Sequence, residues 1–444
     1  MEHRRSSILR IENFYSSYLE NRRDLFVYLP PSYDQEQSRR YQVLYMHDGQ
    51  NIFHPAFNGH SWHVHTTIDR LVEGGFIEEI IVVGISNMGM ERSNEFTHDL
   101  EGVRYQDDKV DIRPLGYLYE KFLIEEVKPY MDQIFRTKPE AAHTALMGSS
   151  RGGQVTYHIG LRRPDVFSKL GIISPYLYYV DPMTLEEFPQ YHTFQAKQPI
   201  SRIWIDLGSS EGLLIMEKHV REAAEKLAAL GYEADNELLY LYAPDAAHVE
   251  KDWAARLASP LIHFYGHESE ARAVTLHGDD EVGLIGAKSR LNPIVEMENG
   301  LQMTLLRADF QVANPEILDV RADGIIIPKG VGETTITVKY QGIQASRTIR
   351  VIPETPEHVM LDLIVHVPTD LPENVRMYAW FPLMDAGQGN YKTRLRLPLH
   401  TEFVFQVTRT DGRIEVDGSG NPVEHKYKAL ANGTVDVHVE RWSS

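Results

Sequence analysis

The chain has 444 residues, too long for one ordinary domain, and its 42% hydrophobic and 24% charged residues leave enough apolar side chains for a sizeable core in each of two or three. Lys plus Arg number 45 against 63 Asp plus Glu, a formal charge of −18 that repels phosphate backbones and anionic lipid, so neither nucleic acid nor a membrane is an expected partner. The absence of cysteine excludes disulfides, thiolate metal sites and cysteine nucleophiles.

Met1 to Arg10 carries positive charge but lacks the apolar run of about 7–15 residues that a signal peptide needs. As written the chain is expected to be cytoplasmic, and extracellular if a leader precedes it. Up to residue 268, short apolar runs alternate with longer helical patterns, which predicts a mostly parallel sheet covered by helices. Tyr41–Met46, Ile80–Ile85, Thr144–Met147, Leu170–Ile173, Ile203–Asp206 and Leu238–Tyr242 supply the strands. Leu118, Phe122, Val127, Met131 and Ile134 repeat with a helical period over residues 116–135, and a second helix is predicted from Glu211 to Leu230, before Gly231. Beyond Glu268 the helical period stops. Stretches such as Thr334–Tyr340 lie between Gly, Pro and Asn turn signals, which predicts an all-β region, and Pro353 and Pro356 predict a stiff linker across residues 353–357.

Gly148-Ser149-Ser150-Arg151-Gly152-Gly153 carries the Gly-x-Ser-x-Gly pattern, in which small flanking residues permit a tight turn that lifts a nucleophilic serine above a sheet. The context suits it: a strand over Thr144–Met147 comes before and a helix over Gln154–Arg163 follows, ending at Pro164. That helix would aim partial positive charge at a developing oxyanion, with the backbone N–H of Arg151 as donor. A serine needs a base, and His248, one of 20 histidines, follows the last predicted strand. Chain order favours it, since an orienting Asp or Glu must come between serine and histidine. The loop Asp206-Leu207-Gly208-Ser209-Ser210-Glu211 offers two carboxylates; Glu211 is preferred because Asp206 directly abuts the strand. Gln50 or Gly49, after the strand ending at Met46, would supply the second oxyanion amide. Tyr178 and Tyr179 in the segment from Pro175 are candidate walls of a substrate pocket. His60-Ser61-Trp62-His63-Val64-His65 lacks a carboxylate partner and His-x-x-x-His spacing, so neither a metal nor a cofactor is expected.

Residues 8–266 resemble the esterase family that includes enterochelin esterases, feruloyl esterases of xylanases and S-formylglutathione hydrolase. The resemblance is carried by Arg23–Tyr33, Tyr45–Phe53, Met147–Gly153 and Ala247–Arg256. It implies an α/β-hydrolase fold, Ser150 as nucleophile, His248 as base and Glu211 as the acid. Arg92 and Glu95 match a recurring family pattern that implies a brace for a loop over the site, and Arg92 is also a candidate for the substrate pocket.

Asn314–Val320 and Asp323–Ile336 resemble a bacterial immunoglobulin-like domain, a kind that usually acts as a spacer. Phe403–Arg409, Glu415–Asn421 and Val435–Trp442 resemble a starch-binding-type carbohydrate module. The tryptophan that such modules carry after the Thr-Arg pair is replaced here by Thr410-Asp411-Gly412, leaving Trp380, Tyr391 and Tyr427 as sugar platforms or, more simply, as core. The expected architecture is an α/β-hydrolase domain at 1–268 followed by two all-β sandwiches at 269–354 and 355–444. The expected activity is serine esterase chemistry on a small-molecule or saccharide ester, acetyl or feruloyl, with a siderophore ester or a non-catalytic adhesive role as alternatives and glycan binding by the last domain.

Overall fold

Runs of β-branched and large apolar residues build the centre of the fold, and a computed structural model describes residues 6–55, 59–101, 112–180, 186–211, 214–368, 371–372, 374–379 and 381–443. The strands of the first part are β1 (Ser7–Ser16), β2 (Asn21–Leu29), β3 (Gln42–His47), β4 (Ile80–Ile85), β5 (Thr144–Ser149), β6 (Lys169–Ile173), a hairpin of β7 (Tyr178–Val180) and β8 (Glu187–Pro189), β9 (Arg202–Gly208) and β10 (Leu238–Ala243). Eight of them form one sheet in the order β1-β2-β4-β3-β5-β6-β9-β10. From β4 to β10 neighbours run parallel, and β1 and β2 complete one edge with antiparallel pairing. Every residue of β4, β5 and β6 is buried, as expected of strands covered on both faces.

Alternate residues of these strands face two helical layers. Tyr45, Leu146 and Ile172 pack with Tyr119, Val127, Ile159 and Leu227, whereas Leu44, Met46, Met147 and Trp204 pack with Ile68, Leu71, Leu261 and Phe264. The helices are α1 (Gly49–Phe53), α2 (Val64–Glu73), α3 (Arg92–Glu95), α4 (Gly116–Lys121), α5 (Lys128–Ile134), α6 (Arg151–Arg162), α7 (Leu214–Ala229), α8 (Glu250–Arg256) and α9 (Ala258–Tyr265). The helix predicted over residues 116–135 exists but widens into a π-turn at Phe122–Val127, just before Pro129, whose ring nitrogen has no hydrogen to give to an α-helical ladder. The helix predicted from Glu211 starts at Leu214 instead.

The region after residue 268 is built of strands in several sheets. Three (Ala271–His277, Asn292–Met297, Gln302–Thr304) form one sheet, four (Glu281–Ile285, Phe310–Val312, Gly332–Tyr340, Ile343–Glu354) a second, and six strands between His358 and His438 a third. Pro353, predicted as linker, lies inside the strand Ile343–Glu354. The antiparallel ladder with Gly332–Tyr340 has already ended at Val351, so the missing N–H costs no bond there. Leu301 and Met303 share an apolar core with Leu239 and Leu241 of β10, and Arg221 of α7 donates to Asn292 Oδ1 at 3.1 Å and to the Asp323 carbonyl at 3.0 Å. Val359, Leu361, Val407 and Phe403 belong to a separate core. Tyr391 is buried in that core and Tyr427 packs on Phe403; Trp380 lies outside the described residues.

Candidate active site

At the carboxyl edge of the sheet β5 turns abruptly into α6, and Ser150 is the turn. Its backbone sits at φ 58°, ψ −123°, a conformation that costs a non-glycine residue on the order of 1–3 kcal/mol. Close approach explains the glycines around it: a Cβ on Gly148 would lie 2.7 Å from backbone atoms of Gly152, and one on Gly153 2.8 Å from the Ile173 carbonyl. The Ser150 N–H donates to the Ile173 carbonyl at 3.0 Å, and the Ser150 carbonyl accepts from Gln154 at 3.0 Å and Tyr176 at 3.2 Å. The strain is thus held by hydrogen bonds from three sides. Helix α6 begins at Arg151, so its first amides face the serine.

Two and three strands along the sheet from β5, Glu211 follows β9 and His248 follows β10. Nδ1 of His248 lies 2.7 Å from Oε2 of Glu211. The other carboxylate oxygen, Oε1, accepts from the Gly208 N–H at 2.7 Å, from Ser174 Oγ at 2.6 Å and from Arg256 Nη2 at 3.3 Å. Burial alone would raise the Glu211 carboxyl, but His248, Arg256 and Ser174 outweigh it and hold it below the ordinary carboxylate value. An ionised Glu211 accepts the Nδ1 proton and leaves Nε2 as the basic nitrogen. Asp206 plays a different part. It is fully buried, accepts from Trp204 Nε1 at 2.7 Å and Arg256 Nη2 at 3.1 Å, and burial pushes its carboxyl up against those two partners. The ring of Trp253 stands edge-on to His248 with centroids 5.0 Å apart, and its Nε1 donates to Ser174 Oγ.

On the other side of the serine, Asp48 follows β3 in the left-handed region at φ 57° and caps the start of α1. Arg92 of α3 grips its carboxylate with Nε and Nη2 at 2.6 and 2.8 Å, and Nη2 also reaches the Ser149 carbonyl at 3.3 Å. Although burial alone would raise it, this fork holds the Asp48 carboxyl below the ordinary value. Arg92 thereby ties the start of α1, which carries Gln50, to the serine turn. Glu95, one turn later, forms a fully buried pair with Arg23 of β2 at 2.7 and 2.8 Å.

A family model described as "Putative esterase" matches residues 16–264, more than half of the chain. The chain belongs to that esterase family. Among curated proteins, the esterase is 23% identical over 261 residues to the uncharacterized protein YbbA of Bacillus subtilis, covering 56% of this chain and 96% of that one. It is 27% identical over 234 residues to an endo-1,4-beta-xylanase/feruloyl esterase of Xylanibacter ruminicola, covering 51% of this chain but 27% of that protein. Among solved structures, a ferulic acid esterase from Anaeromyces mucronatus is 21% identical over 59% of this chain and 92% of its own, with a TM-score of 0.45. An enterobactin esterase from Shigella flexneri is 15% identical over 59% and 58%, with a TM-score of 0.46.

Gln50, Ser150 with Arg151, Glu211 and His248 follow the ends of β3, β5, β9 and β10 of one sheet, and it is Glu211, not Asp206, that meets the histidine. Other expected residues are placed differently. Tyr178 is buried, stacked on His219 at 5.0 Å, and Tyr179 is buried against Phe188. The half-buried aromatic beside the serine is Tyr176, whose ring carries the Arg151 guanidinium at 5.1 Å. Arg92 braces Asp48 and keeps a quarter of its side chain exposed. Gln50 uses its side-chain oxygen to accept the Asn87 N–H at 3.0 Å. Sequence reasoning missed Ser174, Asp48 and Arg256. Asp48 and Arg256 each carried a signal, by lying within a segment of the family resemblance, and Ser174 carried none.

Proposed function

We propose that this esterase cleaves carboxylic esters through an acyl-enzyme on Ser150. Nε2 of His248 takes the Ser150 Oγ proton as Oγ attacks the ester carbonyl, and the amides of Arg151 and Gln50 hold the oxyanion. The tetrahedral adduct collapses, and the imidazolium returns its proton to the departing alcohol. Water, deprotonated by the same nitrogen, then attacks the acyl group and frees the acid and the serine. Glu211 keeps the ring in the required tautomer and stabilises its charged form. The observation that carries this reading is the 2.7 Å Glu211–His248 contact beside a strained serine turn.

The substrate we favour is an acetyl or feruloyl ester on a carbohydrate. The Tyr176–Arg151 wall offers a flat face for an aromatic acyl group, the Xylanibacter relative is named as a feruloyl esterase, and the last 90 residues resemble a glycan-binding module. The same Arg151 charge favours a second reading, a catecholate siderophore ester. We read the chain as three domains, 1–268, 269–354 and 355–444.

The test is a panel of nitrophenyl acetate, acetylated and feruloylated saccharides and a siderophore, run with wild type and Ser150→Ala. Loss of roughly three or more powers of ten in turnover with an unchanged fold is expected. Near-normal turnover by the variant overturns the mechanism, and glycan binding without any hydrolysis by wild type would establish the adhesive alternative.

A further inference from the structure

The loop that delivers Glu211 is bonded on two sides. Toward the histidine, the Ser209 N–H donates to the Ala243 carbonyl at 2.8 Å, the Ser210 N–H to the Ala246 carbonyl at 2.9 Å, and Ser209 Oγ accepts the Asp245 N–H at 2.8 Å. On its other side the partner is the strand Glu402–Phe405, far along the chain. Glu211 and Phe403 form an antiparallel bridge, the Val404 N–H donates to the Ser210 carbonyl at 3.2 Å, and Ser210 Oγ donates to the Glu402 carboxylate. Ser210 and Phe403 are fully buried, so these bonds are shielded from competing water.

The neighbouring strand, His425–Lys428, reaches the histidine loop itself. Lys426 Nζ lies 2.9 Å from Asp245 and 2.8 Å from Glu402, joining the two loops through one cation. Just before it, Glu424 pairs with Lys251, at the start of α8, and lies 3.5 Å from His60, in the loop that follows α1. The C-terminal β region therefore touches the acid loop, the histidine loop and the loop on the oxyanion side.

We propose that the strand Glu402–Phe405 is a positioning element of the esterase site, holding Glu211 in register with His248 by pairing with the backbone of its loop. This rests on the reading of Ser150, Glu211 and His248 as the catalytic set. With a side chain only 2% exposed and four groups converging on it, Glu211 has no slack. A displacement of its backbone by about 1 Å would break the 2.7 Å contact to His248, and misplacements of that size cost on the order of a hundredfold in rate.

The test is a double-mutant cycle in the full chain with nitrophenyl acetate. Val404→Pro removes the N–H that meets Ser210, and Val404→Ile keeps it. Lys426→Met, at an exposed position, cuts the charge link without touching the strand backbone. Proposed coupling requires Val404→Pro to lower kcat roughly tenfold or more, with KM little changed, in the parent background and by less than about twofold in Glu211→Ala, while Val404→Ile behaves as the parent. Lys426→Met is expected to show the same pattern in weaker form.

Equal kcat losses in both backgrounds overturn the proposal, as does a parent-like kcat for both Val404→Pro and Lys426→Met. If Val404→Pro does not fold, the Lys426→Met cycle decides by the same criterion. A Glu211→Ala variant with unchanged kcat would instead refute the catalytic reading beneath it.

Discussion

Replacing Arg256 by methionine is the most informative single perturbation of the site. The side chain is 6% exposed, and its Nη2 reaches Ser174 Oγ at 2.7 Å, Asp206 Oδ1 at 3.1 Å and Glu211 Oε1 at 3.3 Å. Methionine fills much of the same volume, so the cost comes from two carboxylates, 0% and 2% exposed, left facing each other without their shared cation. Removing one partner of a buried ion pair costs about 3–5 kcal/mol. Asp206 can escape part of that cost by taking up a proton. Its carboxyl is already raised by burial, with Arg256 the leading opposing influence, and losing Arg256 raises it further. A carboxyl raised in the folded state stabilises the fold when protonated, and this contribution is lost as pH rises through the folded value. The destabilisation by Arg256→Met is therefore expected to grow from pH 5 to pH 8 and to approach the full about 3–5 kcal/mol at the upper end. Urea unfolding followed by tryptophan fluorescence, with Trp204 and Trp253 both bonded into this network, measures it at each pH. A loss below about 1 kcal/mol at pH 8, or the same loss at both ends of the range, would refute the reasoning.

Two further substitutions separate strain from stability. Ser150→Gly is expected to abolish ester turnover yet raise the melting temperature by about 2–4 °C, because glycine adopts φ 58° freely and the release is of order 1 kcal/mol; a lower melting temperature would show the turn to be unstrained. Glu95→Ala leaves the fully buried Arg23 guanidinium without its carboxylate and is expected to cost about 3–5 kcal/mol, which denaturant titration checks against an exposed control such as Glu12→Ala.

The parallel sheet was legible because its strands are continuous apolar runs, and the serine turn because its glycines are required by contacts within a few residues. His248 and Glu211 could be ordered along the chain, but their 2.7 Å contact depends on parallel strands placed side by side. Ser174 was invisible for the same reason, and the place of Arg256 in the histidine segment did not reveal its role: a lone serine after β6 and an arginine in α8 acquire meaning only when both meet Glu211. The edge strand β1 was not predicted, since its mostly exposed residues lack the apolar run of a covered strand. Residues 211–213 satisfied a helical pattern, yet Glu211 pairs with a strand far away, and local periodicity carries no trace of such a partner. Tyr178 and Tyr176 are alike in sequence and differ only in which way the chain turns after β6.

The pairing of residue 211 with residue 403 also sets a clock. Ser210 and Glu402 are separated by 192 positions, and at roughly 5–20 residues per second a ribosome needs about 10–40 s to travel between them. For that interval the nascent chain holds its serine turn, and then its histidine segment, while the acid loop waits with one side of its backbone unpaired. Only after residues 402–405 have been made does the loop gain this neighbour, so its pairing is completed long after the strands of the parallel sheet have left the ribosome.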